Sequence, residues 1–76
     1  MSKLTIISDK EMVKLLIFLG FIEIRQKGSH AFFAHPDGRA TVVPCHNEDL
    51  GRGLIRKILR DIDISVPDYE RLKREI

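Results

Sequence analysis

An α+β fold, with a three-stranded antiparallel sheet carrying helices on one face, follows from three observations on the 76-residue sequence. Apolar residues recur at helical spacing in two stretches, one ending at Gly20 and one running from Leu54 to Ile62. Between these stretches the hydrophobic period drops to two, and turn residues interrupt the alternating region twice. The order is therefore α-β-β-β-α with a short C-terminal helix, and amphipathic helices bury their stripes most simply on one face of such a sheet. The other face is left open to a ligand.

Helix one occupies residues 9–19. Ser8 followed by Glu11 has the spacing of a capping box, and Gly20 suits the left-handed position past a helix end. Met12, Leu15, Leu16 and Leu19 form one stripe, which Ile17 and Phe18 widen beyond the needs of one small core. Two fates fit that width: a helix buried on most sides, which is the ordinary role of apolar helix residues, or a surface for a partner. From Phe21, Ile22 and Ile24 alternate with Glu23, Arg25 and Lys27 as in a half-buried strand. Lys27-Gly28-Ser29 supplies a turn, His30 to His35 a second strand, and Pro36-Asp37-Gly38 a second turn in which Pro presets one backbone angle and Gly accepts a positive one. Ala40 to Val43 make the third strand, and Pro44, which lacks an N–H, should end it.

Residues 45–51 form a polar loop. Helix two follows, with Leu54, Ile55, Ile58, Leu59 and Ile62 on its apolar side and Arg52, Arg56 and Arg60, spaced by four, on the other. A last helix starts after Ser65, with Pro67 and Asp68 in its first turn, and runs toward Leu72.

Composition narrows the function. With 43% hydrophobic and 32% charged residues, the chain makes one domain over residues 1–76, with residues 1–7 as an N-terminal arm. The Leu4-Thr5-Ile6-Ile7 run in that arm suits an added edge strand, an arm packed on the domain or a self-association surface, and is too short for a signal peptide or a membrane span. The single cysteine, Cys45, allows neither an internal disulfide nor a cysteine cluster for zinc, which fits a reducing, cytoplasmic location. Cys45 itself reads as a spectator thiol. No phosphate loop, paired helical His or nucleophile elbow is present, so neither a metal nor a small-molecule cofactor is expected.

The net charge of +2 conceals an uneven distribution. Residues 52–60 hold Arg52, Arg56, Lys57 and Arg60 with no acid, whereas residues 61–76 hold five acids and three bases. Such a stripe is either a solvated helix face or a contact for a polyanion, and the lack of interleaved acids favours the second use. The three histidines, His30, His35 and His46, are the side chains suited to move protons near neutrality. RNA phosphodiester cleavage needs such a group to take the 2′-hydroxyl proton and an acid for the departing 5′-oxygen, with cations and backbone amides around the phosphate. His30 adjoins a Gly-Ser turn, and Arg25, Lys27 and Arg39 are close enough in sequence to converge on it across the meander. A solvated or structurally bonded histidine at a strand end fits the same pattern. Phe32 and Phe33 point to opposite faces, so one can serve the core while the other stacks on a base or joins a second core contact.

The ordered set Leu19-Gly20-Phe21, Arg25-Gln26-Lys27-Gly28-Ser29-His30, His35-Pro36-Asp37-Gly38-Arg39, Val43-Pro44-Cys45-His46 and Gly53-Leu54-Ile55-Arg56-Lys57-Ile58-Leu59-Arg60 closely resembles the HicA family of toxins, over roughly residues 8–72. The resemblance implies a fold similar to a double-stranded RNA-binding domain, metal-independent cleavage of mRNA, an essential histidine at His30, and inhibition by a HicB-like antitoxin that covers the active surface. Ala31, Ala34 and Cys45 depart from residue types common at these positions in the family, where the first two are often polar or basic and the third aliphatic. On this reading His30 is catalytic and Lys27, Gly28 and Ser29 hold the scissile phosphate. Arg39, Arg52, Arg56 and Lys57 contact RNA, and His46 is either an acid partner or a further RNA contact. The rivals are a non-catalytic RNA-binding module and a protein-interaction domain for which Ile17, Phe18 and the N-terminal run matter more than His30.

Overall fold

A computed structural model describes residues 4–76. The elements are α1 (Asp9–Phe18), β1 (Ile22–Lys27), β2 (His30–Ala34), β3 (Ala40–Pro44), α2 (Arg52–Asp61) and α3 (Val66–Lys73). This is the expected α-β-β-β-α order with a short C-terminal helix, and the three strands form one antiparallel sheet in the order β1-β2-β3.

Local chemistry sets the helix ends. The Glu11 amide donates to Ser8 Oγ at 3.1 Å and the Ser8 amide to Glu11 Oε1 at 2.9 Å, which completes the capping box. Gly20, at φ +96°, turns the chain out of α1. The Asp68 amide donates to Ser65 Oγ at 3.2 Å and caps α3. Met12, Leu15 and Leu16 of α1 are fully buried with Ile55, Ile58 and Leu59 of α2 against Ala31, Phe33 and Val43 of the sheet. Tyr69 of α3 closes the same core.

Two expectations change. Helix α1 is not buried on most sides: Ile17 is 60% and Phe18 55% exposed, because only one side of α1 meets the core and its last turn overhangs it. Strand β1 is not half-buried either. All six of its residues are exposed, with Ile22 and Ile24 at 62%, because β1 is an edge strand beyond the helical layer and a bulge between Glu23 and Arg25 takes Ile24 out of register. Three boundaries also move by one residue. Helix α1 ends at Phe18 with Leu19 as its cap, His35 leaves the second strand for the turn, where its amide donates to the Arg39 carbonyl at 2.8 Å, and Pro44 occupies the last ladder position instead of following it. An edge strand tolerates a proline there.

Alternation holds on β2 and β3. Ala31, Phe33, Thr41 and Val43 are buried under the helices, so their neighbours stand on the open face. Residues paired across antiparallel strands share a face, so the register lays out two open-face rows: Lys27, His30 and Pro44, then Arg25, Phe32 and Val42.

Of the three fates open to the N-terminal run, the described residues take the packed arm. Leu4 and Ile7 are buried, the Leu50 amide donates to the Ile7 carbonyl at 2.9 Å, and Tyr69 donates its hydroxyl hydrogen to the Thr5 carbonyl. Burial pushes the Tyr69 hydroxyl pKa up to about 12, so it remains a donor. Thr5 gives its amide and hydroxyl to the Glu70 carboxylate at 2.7 and 2.9 Å, and the backbone bond above all holds that carboxyl below its ordinary range. Residues 1–3 of the arm lie outside the described residues. Among the described residues no helix is long and apolar enough to cross a membrane.

Candidate active site

Lys27, Gly28, Ser29 and His30 form the tight turn between β1 and β2. Gly28 has φ +59° while Ser29 stays out of the left-handed region, the pattern of a hairpin turn with glycine at its first central position. No heavy atom lies within 4 Å of where a Cβ on Gly28 would sit. The glycine therefore serves the backbone angle and leaves the turn open to a close approach. Gln26 Nε2 donates to the Gly28 carbonyl at 3.2 Å and steadies the turn. His30 stands exposed on the open face between Lys27 and Pro44.

The loop after β3 is fastened to this turn. The Cys45 amide donates to the Ser29 carbonyl, and His46 Nε2 lies 3.5 Å from Ser29 Oγ. The loop is held from its other side by the start of α1. Asn47, at φ +58°, donates its amide to Asp9 Oδ2 at 2.9 Å, and the Asp9 amide donates to the Glu48 carbonyl at 3.1 Å.

Arg25, one of the three cations expected to converge on His30, extends over the Phe32 ring with its guanidinium carbon 4.6 Å from the centroid, one row from His30. Phe32 is half-buried on the open face while Phe33 fills the core, so Phe33 is the core residue and Phe32 the one that faces outward. Arg39 does not converge. It adjoins the Ala34–Ala40 end of the sheet, opposite the His30–Pro44 end, with Nε 2.8 Å from Asp37 Oδ2, Nη1 donating to the Ile62 carbonyl and its guanidinium over Phe21. These bonds tie the second turn to the end of α2. The Arg39 amide, helped by its guanidinium, holds the Asp37 carboxyl below the usual carboxylate range.

His35 belongs to the same clamp. Its ring lies 5.1 Å from that of Phe21, and its Nδ1 accepts the Asp37 amide at 3.1 Å. His35 is thus structural, and His30 and His46 remain together at the other end. Ala31 points into the core, so a polar side chain there would meet no phosphate; Ala34 is on the open face. Cys45 is half-buried, and burial, with the Asp9 and Glu23 charges, pushes its thiol pKa up, which agrees with a spectator.

Arg52, Arg56, Lys57 and Arg60 are all exposed on α2. Lys57 is paired with Asp61 at 3.1 Å, and that carboxylate also accepts the Thr41 hydroxyl at 3.0 Å. Arg52, Arg56 and Arg60 make no ion pair among the described residues. The apolar side of α2 packs on the covered face of the sheet, so this stripe projects from the helical layer and not from the open face that carries His30.

Sequence reasoning placed Asp9 only in the first turn of a helix. It is the one charged side chain among the described residues that is buried, and its partner Asn47 is 38 positions away. No local pattern links the two residues.

No curated protein matches the sequence. The turn, the loop fastened to it, the whole sheet, α2 and all of α1 but Asp9 lie within residues 10–64, which match the family model described as the HicA toxin of bacterial toxin-antitoxin, and a match over that much of the chain places the protein in the HicA toxin family as the toxin of such a pair.

Proposed function

We propose that the protein is a metal-independent endoribonuclease that cuts mRNA, with His30 as the proton-transferring residue. The observation that carries this reading is the junction of the Lys27–His30 turn with the His46 loop, which gathers two histidines, a lysine, a serine hydroxyl and an open glycine turn at one end of the sheet. The scissile phosphate sits against Gly28 and Ser29, with Lys27 neutralising its charge. His30 takes the proton from the ribose 2′-hydroxyl. The 2′-oxygen bonds to phosphorus, the bond from phosphorus to the 5′-oxygen breaks, and His46 supplies the proton that oxygen gains. The products are a cyclic phosphate and a free 5′-hydroxyl. Phe32, under the Arg25 guanidinium, offers a base a ring to stack on.

Family membership implies an opposing antitoxin. We assign that role to a HicB-like protein that covers the site and reaches Ile17 and Phe18, which are exposed at the end of α1. Purified protein in EDTA should cut single-stranded RNA, and expression of the gene in growing cells should arrest growth. Co-expression of the neighbouring gene should restore growth, and should restore it less well against Phe18→Asp. Binding of RNA without cleavage would select the non-catalytic module, and a harmless, folded product would select the interaction domain.

Arg52 and Arg56, exposed and without an ion pair among the described residues, are the better RNA contacts on α2, because Lys57 already has Asp61 and Arg39 is engaged in the clamp. Arg56→Glu should weaken RNA binding and lower the slope of log K against log salt by about 0.7 for each phosphate that is no longer neutralised on a single strand. An unaltered slope would return the stripe to a solubilising role.

A further inference from the structure

The buried carboxylate of Asp9 has no part in the chemistry above, yet both of its oxygens are used. Oδ1 accepts the Lys10 amide at 2.8 Å and Oδ2 accepts the Asn47 amide at 2.9 Å. Around these bonds the chain entering α1 and the loop after β3 form a short antiparallel zip: Ser8 bridges Asp49, the Asp9 amide donates to the Glu48 carbonyl, and the Leu50 amide donates to the Ile7 carbonyl. The zip ends at Asn47, the residue next to His46. Asn47 holds φ +58°, a conformation that costs an L-residue free energy and persists where surrounding bonds enforce it. The carboxylate bond to its amide is such a restraint, and a charged acceptor makes it a strong one.

We infer that Asp9 is a positioning residue for His46: its carboxylate locks Asn47 in the left-handed conformation, and this aims the His46 ring at Ser29 and the scissile bond. The inference rests on the proposed nuclease reading and extends it, since it gives His46, the second proton carrier of that reading, a support outside the turn. Three links carry the coupling. Asp9 Oδ2 holds the Asn47 amide, Asn47 fixes the direction of the chain one residue from His46, and the Cys45 amide on the other side of His46 is held by the Ser29 carbonyl. The backbone on both sides of His46 is thereby restrained, and its Nε2 comes to 3.5 Å from Ser29 Oγ. A serine hydroxyl at that place either orients the ring or passes the proton between His46 and the departing oxygen.

Asp9→Asn keeps the size of the side chain but leaves one neutral acceptor oxygen for the Lys10 and Asn47 amides, so one of the two bonds is lost and the charge that strengthens the other is removed. We expect kcat for metal-free cleavage of an RNA oligonucleotide to fall by about 10²-fold, the effect of a misplacement near 1 Å, with KM within about twofold of the parent. In a His46→Ala background the same substitution should cost almost nothing further. Adding Asn47→Gly, which takes a positive φ freely, should restore most of kcat to Asp9→Asn. Ring-proton NMR should show His46 close to Ser29 in the parent, a proximity that is absent in Asp9→Asn and returns in the glycine variant. An equal loss of kcat in both His46 backgrounds, or an Asp9→Asn protein with unaltered kcat, would overturn the positioning role and leave the His30 mechanism standing. A parent protein inert on RNA would overturn both. Thermal melts of each variant separate unfolded protein from slow protein.

Discussion

Substitution of His30 by alanine should lower metal-free RNA cleavage by about 10²- to 10⁴-fold, the range typical of a lost general acid or base. The fold should survive it. His30 is exposed on the open face, and exposed sites away from caps and buried networks change stability by about ±0.5 kcal/mol or less. RNA affinity should remain close to that of the parent, because Lys27, the Gly28 turn and the α2 arginines remain in place. A large loss of rate with retained binding is thus the signature of a chemical role, and it separates the nuclease from a binding module of the same fold. The other histidines provide the contrast. His35→Ala removes a ring packed on Phe21 and an acceptor for the Asp37 amide, so it should cost stability and spare the chemistry. His46→Ala should cost rate, but less than His30→Ala if water replaces it as the acid. Cleavage by His30→Ala at the parent rate, measured in EDTA, would remove His30 from the mechanism.

Which of these residues would matter was only partly legible before the structure. Ser8 with Glu11, Gly20, and Ser65 with Asp68 are local signals whose partners sit within four residues, and all of them hold. The alternation of β2 and β3 was legible for the same reason, since a period of two is a property of the strand itself. Burial of β1 was not legible. Ile22 and Ile24 alternate with charges as a half-buried strand does, yet whether a strand lies under the helices or beyond them depends on the sheet order and the reach of α1 and α2. His30 stands out in the sequence through its Gly-Ser turn and neighbouring cations, but nothing local says whether His35, at the Pro turn, or His46, in the loop before α2, lies near it. Register separates them, since pairing His30 with Pro44 and Ala34 with Ala40 sends His35 and Arg39 to one end and His30 and His46 to the other. The engagement of Arg39 at the far end of the sheet from His30 is not legible in the sequence, because of its two acceptors only Asp37 is local and the Ile62 carbonyl is not. The link from Asp9 to the loop after β3 is invisible in the sequence because its partner Asn47 is 38 residues distant.

The same register sets the largest effect expected on stability. Phe33 is 1% exposed under the helices, and Phe33→Ala should cost about 3–5 kcal/mol through lost transfer energy and the cavity left behind. A chain of 76 residues at roughly 0.05–0.15 kcal/mol per residue has a total of about 4–11 kcal/mol, so this one change removes a large part of it. The melting temperature should fall by more than about 10 °C. Phe32, the next residue, should behave in the opposite way. It is half-buried on the open face, with the Arg25 guanidinium over its ring, and Phe32→Ala should cost about 1 kcal/mol of stability or less. If a base of the RNA stacks on that ring, the same substitution should weaken RNA binding about tenfold, since one base–aromatic stack is worth about 1–3 kcal/mol. Two adjacent phenylalanines would then divide cleanly between folding and binding. Thermal melts and RNA titrations on the two variants measure both quantities, and a Phe32→Ala protein that loses stability as Phe33→Ala does, while binding RNA normally, would show that Phe32 serves the fold and not an RNA surface.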